Sequence, residues 1–439
     1  MLTSFFAPAS QPPLGIVIVG AGTVGGSVLD VLRENAQTIS ARSGRNIVVR
    51  AVVVRNIEKA RTRLHPDMAG LLTDDWQAAV QRPDAEVLLE LMGGESTAKE
   101  CIQAALTAGK SVVTANKALL ATCGDVIFDA AHAAGKPVAY EAAVAGCIPI
   151  IKTLREALAG DTVHEVAGII NGTSNYILTA MEKDGVTFAD ALEATQKMGY
   201  AESDPSLDID GGDAAHKILL IARLAFGAHA TMNDVPVVGV RDFKLRDIRY
   251  AAQFGFCVKL LAQAVRRDNG IELSVQPTLV PCTHPIASVD GAMNAILVRS
   301  AYAGETLYYG AGAGAFPTAA AVVADVIDIA RGNGALAQHG NGTPLPSLIP
   351  ADDCSAPHFL RLRVLDMPGV LANIASALAQ QNISIEAIHQ NESAPGQEVD
   401  IIMLVHEASR GKIFSGIKQI ENQSTTVGAV VTMPIKRFL

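Results

Sequence analysis

Cysteine is scarce in this chain. There are six in 439 residues (Cys101, Cys123, Cys147, Cys257, Cys282 and Cys354), and no two form a CxxC pair. That usage argues against a disulfide scaffold and a cysteine-type structural zinc site, and it fits reduced thiols in a cytoplasmic setting. Positive charge is short as well: 35 Lys+Arg against 44 Asp+Glu leave a net charge of −9. A general nucleic-acid or anionic-membrane binder is not expected from that balance, so a phosphate-bearing ligand must be held by local groups. No apolar run approaches the roughly 18 residues of a membrane span. The start, MLTSFFAPASQPP, lacks the basic and long apolar regions of a secretory signal. What the chain does have is 49% hydrophobic and 18% charged residues, ample for buried cores. At roughly 100–200 residues per domain its length suggests about three domains.

The N-terminal part alternates short apolar strands with helical stretches. Gly15–Val19, Ile47–Val54, Glu86–Leu91, Ser111–Thr114 and Pro137–Tyr140 read as strands, with helices such as Thr97–Ala108 and Gly124–Ala134 between them. That grammar predicts an α/β fold with a parallel, doubly wound sheet. From about residue 148 the grammar changes. Helices are expected at Pro149–Leu158, Phe188–Met198 and Asp213–Phe226, then strands at Ile271–Val280 and Ala295–Ala301, as in a second, α+β domain. Gly310–Ala321 runs into a helix at Val322–Ala330 that returns to the first domain. Residues 332–356, rich in Gly, Pro, Asn and Ser, read as a linker. Beyond it the order βαββαβ predicts a ferredoxin-like module. Its strands fall at Phe359–Val364, Ile383–Ile388, Val399–Val405 and Thr426–Met433, and its helices at Pro368–Ala379 and Gly411–Ile420.

Between the first strand and its helix stands Gly20-Ala21-Gly22-Thr23-Val24-Gly25. In that context it is the dinucleotide fingerprint. The first glycines permit a tight turn and close approach to a pyrophosphate, and Gly25 lets helix and strand pack closely. Val54 is followed by Arg55-Asn56, with no acid until Glu58. An acid there would accept the ribose hydroxyl of NAD, whereas Arg suits the 2′-phosphate of NADP, so NADP is preferred over NAD.

Two further segments carry chemistry. Five acids lie between Glu202 and Asp213 in GYAESDPSLDIDGGDAAHK, just ahead of an apolar helix. Asp213 and Lys217 are four apart and share a helical face. The pair is either an exposed ion pair of little weight or a buried functional one, and the apolar Ile218–Ile221 run favours burial. Lys117, in Thr114-Ala115-Asn116-Lys117, follows a parallel strand where α/β sheets present ligand contacts; otherwise it is a surface lysine. Either lysine can serve as acid or base if its surroundings lower its pKa. Glu141, in EAAVAGCIP, is read as a domain-connecting turn or as one carboxylate of a hard-cation site completed by turn carbonyls.

Together GAGTVG at 20–25, TANK at 114–117, NGTSNYIL at 171–178 and the 199–217 segment make the chain similar to the homoserine dehydrogenases that carry a C-terminal ACT domain. The resemblance runs from Gly15 to the C-terminus. It implies NAD(P)-dependent interconversion of L-homoserine and L-aspartate 4-semialdehyde on the route to threonine and methionine. By that resemblance Lys217 is the proton donor and acceptor, Asp213 orients it, Glu202 and Asp208 bind substrate, and Lys117 meets nicotinamide and substrate. Gly20, Gly22, Thr23, Val24, Gly25, Arg55 and Gly312 would hold the cofactor. A Na+ or K+ site would fall on Glu141 and the carbonyls of Val144, Gly146 and Ile148. Many relatives carry a glycine run where this chain has Ala145-Gly146-Cys147, and Ala311 stands where a larger residue is usual.

The implied domains are a Rossmann domain over 1–140, a substrate and dimerisation domain over 141–331 whose last segment (about 310–331) returns to the first, the linker, and an ACT domain over 357–439. Asp366-Met367-Pro368-Gly369 marks the ACT strand–helix turn. L-threonine is the expected effector and a dimer or tetramer the expected assembly. A non-catalytic amino-acid sensor on the same fold is the alternative, and proton-transfer groups argue against it. A semialdehyde dehydrogenase is a third reading; it would need a nucleophilic cysteine with a nearby base, and no cysteine here is read as having that setting.

Overall fold

Six short strands, β1 (Leu14–Val19), β2 (Ile47–Val53), β3 (Leu72–Thr73), β4 (Val87–Glu90), β5 (Ser111–Thr114) and β6 (Val138–Ala139), pair in parallel in the order β3-β2-β1-β4-β5-β6. This is the doubly wound order that the alternation of apolar strands and helices predicts. Every residue of β1, β4 and β5 is buried, as strands covered on both faces require. The strand order reverses between β1 and β4, so ligands are expected at the carboxyl ends of these strands. The computed structural model describes residues 11–241, 243–333, 345–390 and 394–438. Residues 334–344 of the sequence-read linker lie outside the described residues.

Contacts divide the chain into two units, one drawn from 1–160, 219–227 and 310–345, the other from 161–218, 228–309 and 346–439. In the first, helix Ala315–Ala330 lays Ala319, Val322 and Val326 into the core formed by Ile16, Ile18 and Val28. That helix starts seven residues before the expected Val322 because strand β11 (Gly304–Ala311) ends only shortly ahead of it. The expected helix Pro149–Leu158 is instead a helical turn, Ile150–Lys152, running into a π-helical turn, Thr153–Ala157. Short π turns of this kind often occur at functional sites.

In the second unit, β7 (Val163–Ile169), β8 (Phe256–Arg267), β9 (Gly270–Pro281), β10 (Met293–Ser300) and β11 form a sheet in the order β11-β10-β7-β8-β9. The pairs β10–β7, β7–β8 and β8–β9 are antiparallel. Of these strands only β9 and β10 were legible in the sequence. β8 escapes because its run Phe256–Val265 is buried on both faces but for its first residue, without the alternation that marks a half-exposed strand.

The terminal module has strands β12 (Ser355–Leu365), β13 (Ile385–Gln390), β14 (Glu398–Ser409) and β15 (Val431–Pro434) in the order β13-β14-β12-β15, with helices Val370–Gln380 and Arg410–Glu421. The pairs are antiparallel and the chain order is βαββαβ, as expected. Its core joins Leu360, Leu362, Ile374, Leu378, Met403 and Ile413.

Candidate active site

At the end of β1 the glycines divide into two kinds. Gly20 is left-handed, with φ +97°, and a Cβ on it would stand 2.5 Å from the Leu91 carbonyl oxygen. A Cβ on Gly25 would stand 2.0 Å from the Gly20 carbonyl oxygen. Packing alone demands glycine at both places. Gly22 is different: its Cβ would meet nothing within 4 Å. It is the N-cap of helix Thr23–Glu34, and no side chain caps that terminus. Open space before uncapped N–H groups at a helix start is the environment a pyrophosphate needs, so the residues fit a dinucleotide. A cavity of about 240 Å³ lies beside this turn, lined by Gly22, Thr23, Ser27, Arg63 and His65. Arg55 is exposed just past β2, and Asn56 behind it caps the next helix by accepting from the Lys59 N–H at 2.8 Å.

Lys117 is the first residue of helix Lys117–Ala134, whose N-cap Asn116 accepts from the Leu119 N–H at 3.2 Å. The Asn116 amide also donates to the Gly94 carbonyl, at 2.8 Å. Beneath it Thr114 donates its hydroxyl to Glu90 at 2.6 Å, and the Asn116 N–H donates to the Thr114 oxygen at 3.0 Å. Glu90 is fully buried, and burial pushes its carboxyl up to about 7, against the lowering influence of the Thr114, Met92 and Asn116 donors. Sequence reasoning passed over Glu90; the signal was an acid ending an otherwise apolar strand.

The acidic segment folds into a buried polar cluster. Asp213 and Lys217 lie in the first turns of helix Gly212–Phe226 and are 5% and 8% exposed, which rules out the weak surface pair. The Lys217 Nζ donates to Asp213 Oδ2 and to the Ile170 carbonyl, both at 2.7 Å. Asn171 joins the cluster from the end of β7. Its amide nitrogen donates to Asp208 Oδ1 at 2.7 Å and to Asp213 Oδ2 at 2.8 Å, while its oxygen caps helix Gly172–Asp184 through the Ser174 N–H at 2.8 Å. The Asp208 carboxyl is raised chiefly by burial; the neighbouring Asp213 charge adds to this, and the Asn171 donor opposes it. Glu202 lies exposed in the loop ahead of these groups, and its backbone carbonyl accepts from Gln196 at 3.2 Å. Asn171 was visible only as part of a motif, since its partners are 37 and 42 residues away.

Glu141 is also buried. Its carboxylate oxygens accept the Ile151 and Lys152 N–H groups at 2.9 and 2.8 Å, and its own N–H donates to Asp325 Oδ2 at 2.9 Å. Burial raises both acids, Asp325 to about 7, and each carboxylate neighbours the other. Ala145 and Gly146 follow with φ of 54° and 58°. A Cβ on Gly146 would stand 2.8 Å from the Ala311 and Gly312 backbone oxygens, so Gly312, itself buried, closes directly on this turn. The Ile148 carbonyl accepts from the Ile150 N–H at 2.8 Å. Among the described residues no group of three or more His, Cys, Asp or Glu is placed to hold a metal ion. None of the described helices is long and apolar enough to cross a membrane.

Comparisons with known proteins agree with this architecture. Family models match at residues 20–141 (homoserine dehydrogenase, NAD binding domain), 149–327 (homoserine dehydrogenase) and 358–423 (ACT domain). The chain is 45% identical to the homoserine dehydrogenase of Neisseria gonorrhoeae over 421 residues, 93% of this chain and 95% of that one. It is 40% identical to that of Corynebacterium glutamicum over 93% of each. The crystal structure of a homoserine dehydrogenase from Thiobacillus denitrificans superposes with TM-score 0.90 at 43% identity, covering 97% of this chain and 98% of that one. A hyperthermophilic archaeal homoserine dehydrogenase in complex with NADPH matches with TM-score 0.61 at 26% identity over 72% of this chain and 97% of that one. The chain belongs to the homoserine dehydrogenase family, NAD(P)-dependent oxidoreductases acting on CH–OH, in the form that carries a C-terminal ACT domain.

Proposed function

We propose that the chain interconverts L-homoserine and L-aspartate 4-semialdehyde, with NADP preferred over NAD, in threonine and methionine synthesis. The observation that carries the chemistry is the buried Asp213–Lys217 pair. Lysine has three N–H donors, and two of those on Lys217 are taken by Asp213 and Ile170. The third is left for the substrate oxygen. Lys217 gives that oxygen a proton when the aldehyde is reduced and takes one back when the alcohol is oxidised. Asp213 holds the ammonium in place. Asp208 and Asp213 together outnumber the single lysine charge, an excess that suits a substrate ammonium, and exposed Glu202 adds a carboxylate at the loop.

Bound nicotinamide supplies the hydride that moves to or from the carbinol carbon. Gly20, Gly22, Thr23, Val24 and Gly25 would cradle its pyrophosphate, Arg55 its 2′-phosphate, and Lys117 and Gly312 would stand near the nicotinamide. Glu141 and the Val144, Gly146 and Ile148 carbonyls would hold Na+ or K+. The buried Glu141–Asp325 neighbourhood supports this, since a monovalent cation offsets close carboxylates. The terminal module would bind L-threonine as feedback inhibitor, in a cytoplasmic dimer or tetramer. A sensor without turnover has no use for a buried proton-transfer pair.

The test is NADPH oxidation with aspartate 4-semialdehyde. Wild-type protein should turn over, and Lys217→Ala should lower kcat by about 100-fold or more. No wild-type turnover would refute the activity; an undiminished variant would refute the role of Lys217 alone.

A further inference from the structure

Asn171 holds three hydrogen bonds with one side chain, and they point in two functional directions. Its oxygen serves the fold, capping helix Gly172–Asp184 through the Ser174 N–H. Its amide nitrogen serves the acidic cluster, donating to Asp208 Oδ1 and to the same Asp213 oxygen that meets Lys217. The residue is buried, at 5% exposure, and so is Asp213. The adjacent backbone takes part as well, because the Ile170 carbonyl is the second acceptor for the Lys217 ammonium.

We infer that Asn171 is a positioning residue for the proton-transfer pair: its amide ties Asp208 to Asp213 and fixes the carboxylate oxygen that anchors Lys217. This rests on the proposed role of Lys217. Burial and the Asp213 charge raise the Asp208 carboxyl, and the Asn171 donor opposes that rise. The charged groups of the cluster are Asp208, Asp213 and Lys217; Asn171 and Thr173 face it from helix Gly172–Asp184 and its cap without charge. With both donated bonds in place, Asp213 presents a fixed acceptor, and the ammonium is held between it and the Ile170 carbonyl. Without them the Asp213 oxygen that meets Lys217 loses one of its donors and Asp208 loses the donor that opposes its protonation, so the third N–H of Lys217 loses its aim.

The cap and the clamp can be separated. Asn171→Asp and Asn171→Ser both keep an oxygen able to cap the helix. Asp removes both donors and adds a carboxylate, whereas the Ser side chain is too short to bridge. Expected for each folded variant are a melting temperature within a few degrees of wild type, a kcat at least tenfold lower and an unchanged KM for NADPH. Asn171→Asp should also move the acid limb of the kcat–pH profile upward by about one unit, because three carboxylates then share the site. A purely structural asparagine would lower the stability and active fraction of Asn171→Ser but leave the kcat of its folded molecules at the wild-type value. The inference is overturned if a folded variant keeps wild-type kcat, if the Asn171→Asp limb does not move, or if neither variant folds. Should Asn171→Asp alone fail to fold, the kcat and KM of Asn171→Ser decide. Lys217→Ala measured alongside keeps the two readings apart: if it is inactive while the Asn171 variants are normal, only the positioning role falls.

Discussion

Glu90 shows how a single side chain ties stability to pH. It sits at the carboxyl end of β4, fully buried, with its carboxyl pushed up to about 7 by burial. A carboxyl raised in the folded state and ordinary in the unfolded chain is protonated preferentially when folded. Its contribution is therefore complete below the ordinary carboxylate range and is lost as pH rises towards 7. Thermal melts between pH 4.5 and 8 should show stability falling across that window, by on the order of 3 kcal/mol from this group. Glu90→Gln should flatten that part of the profile, and an unchanged slope in the variant would refute the assignment to Glu90. The Asp213–Lys217 pair was partly legible, because residues four apart share a helical face and the apolar run behind them favours burial, while an exposed pair stayed open and the catalytic role came from the resemblance. Glu90 and Asn171 were not, since their roles exist only once distant strands and loops close around them.

Among the elements, the turn from Glu141 to Ile148 carries the clearest strain. Ala145 is held at φ 54°, where a Cβ costs roughly 1–2 kcal/mol and glycine almost nothing. Allowing for the greater freedom of glycine in the unfolded chain, Ala145→Gly should stabilise the protein by about 0.5–1 kcal/mol in a denaturant melt. Replacing Na+ and K+ by tetramethylammonium should lower turnover if this turn holds a cation. Five of the six parallel strands were readable as short apolar runs alternating with helices; β3, two residues long, offered no such run. The antiparallel sheet was half hidden. The Asp268-Asn269-Gly270 turn joining β8 to β9, with Gly270 at φ 150°, is a hairpin signal, and the apolar run before it masked the strand. The π turn at Thr153–Ala157 has no pattern in the sequence that separates it from an ordinary helix.

At the scale of the whole molecule, the terminal module belongs to the same unit as the antiparallel sheet. Arg361 of β12 pairs with Asp247, and both side chains are almost wholly buried. Lys436 reaches Glu165 of β7, and its N–H donates to the Leu279 carbonyl at 2.8 Å. Removing one member of a buried ion pair leaves a stranded charge, so Arg361→Met should destabilise by about 3–5 kcal/mol, and adding Asp247→Leu should restore much of the loss. L-Threonine should lower turnover and raise the melting temperature of the wild-type protein; a titration that changes neither would remove the regulatory reading of the module.

The Arg361–Asp247 pair also bears on how such proteins can be recombined. Asp247 is buried against Arg361, whereas Arg361 also keeps Asp400 at 3.7 Å, so loss of Arg361 strands a buried carboxylate and position 361 cannot drift first without passing through a weakened protein. A chimera that grafts onto this chain a relative's terminal module lacking a cation at position 361 should therefore fold well only when the residue at position 247 travels with it. The module's inheritance is then fixed by a side chain more than a hundred positions away from it in the sequence.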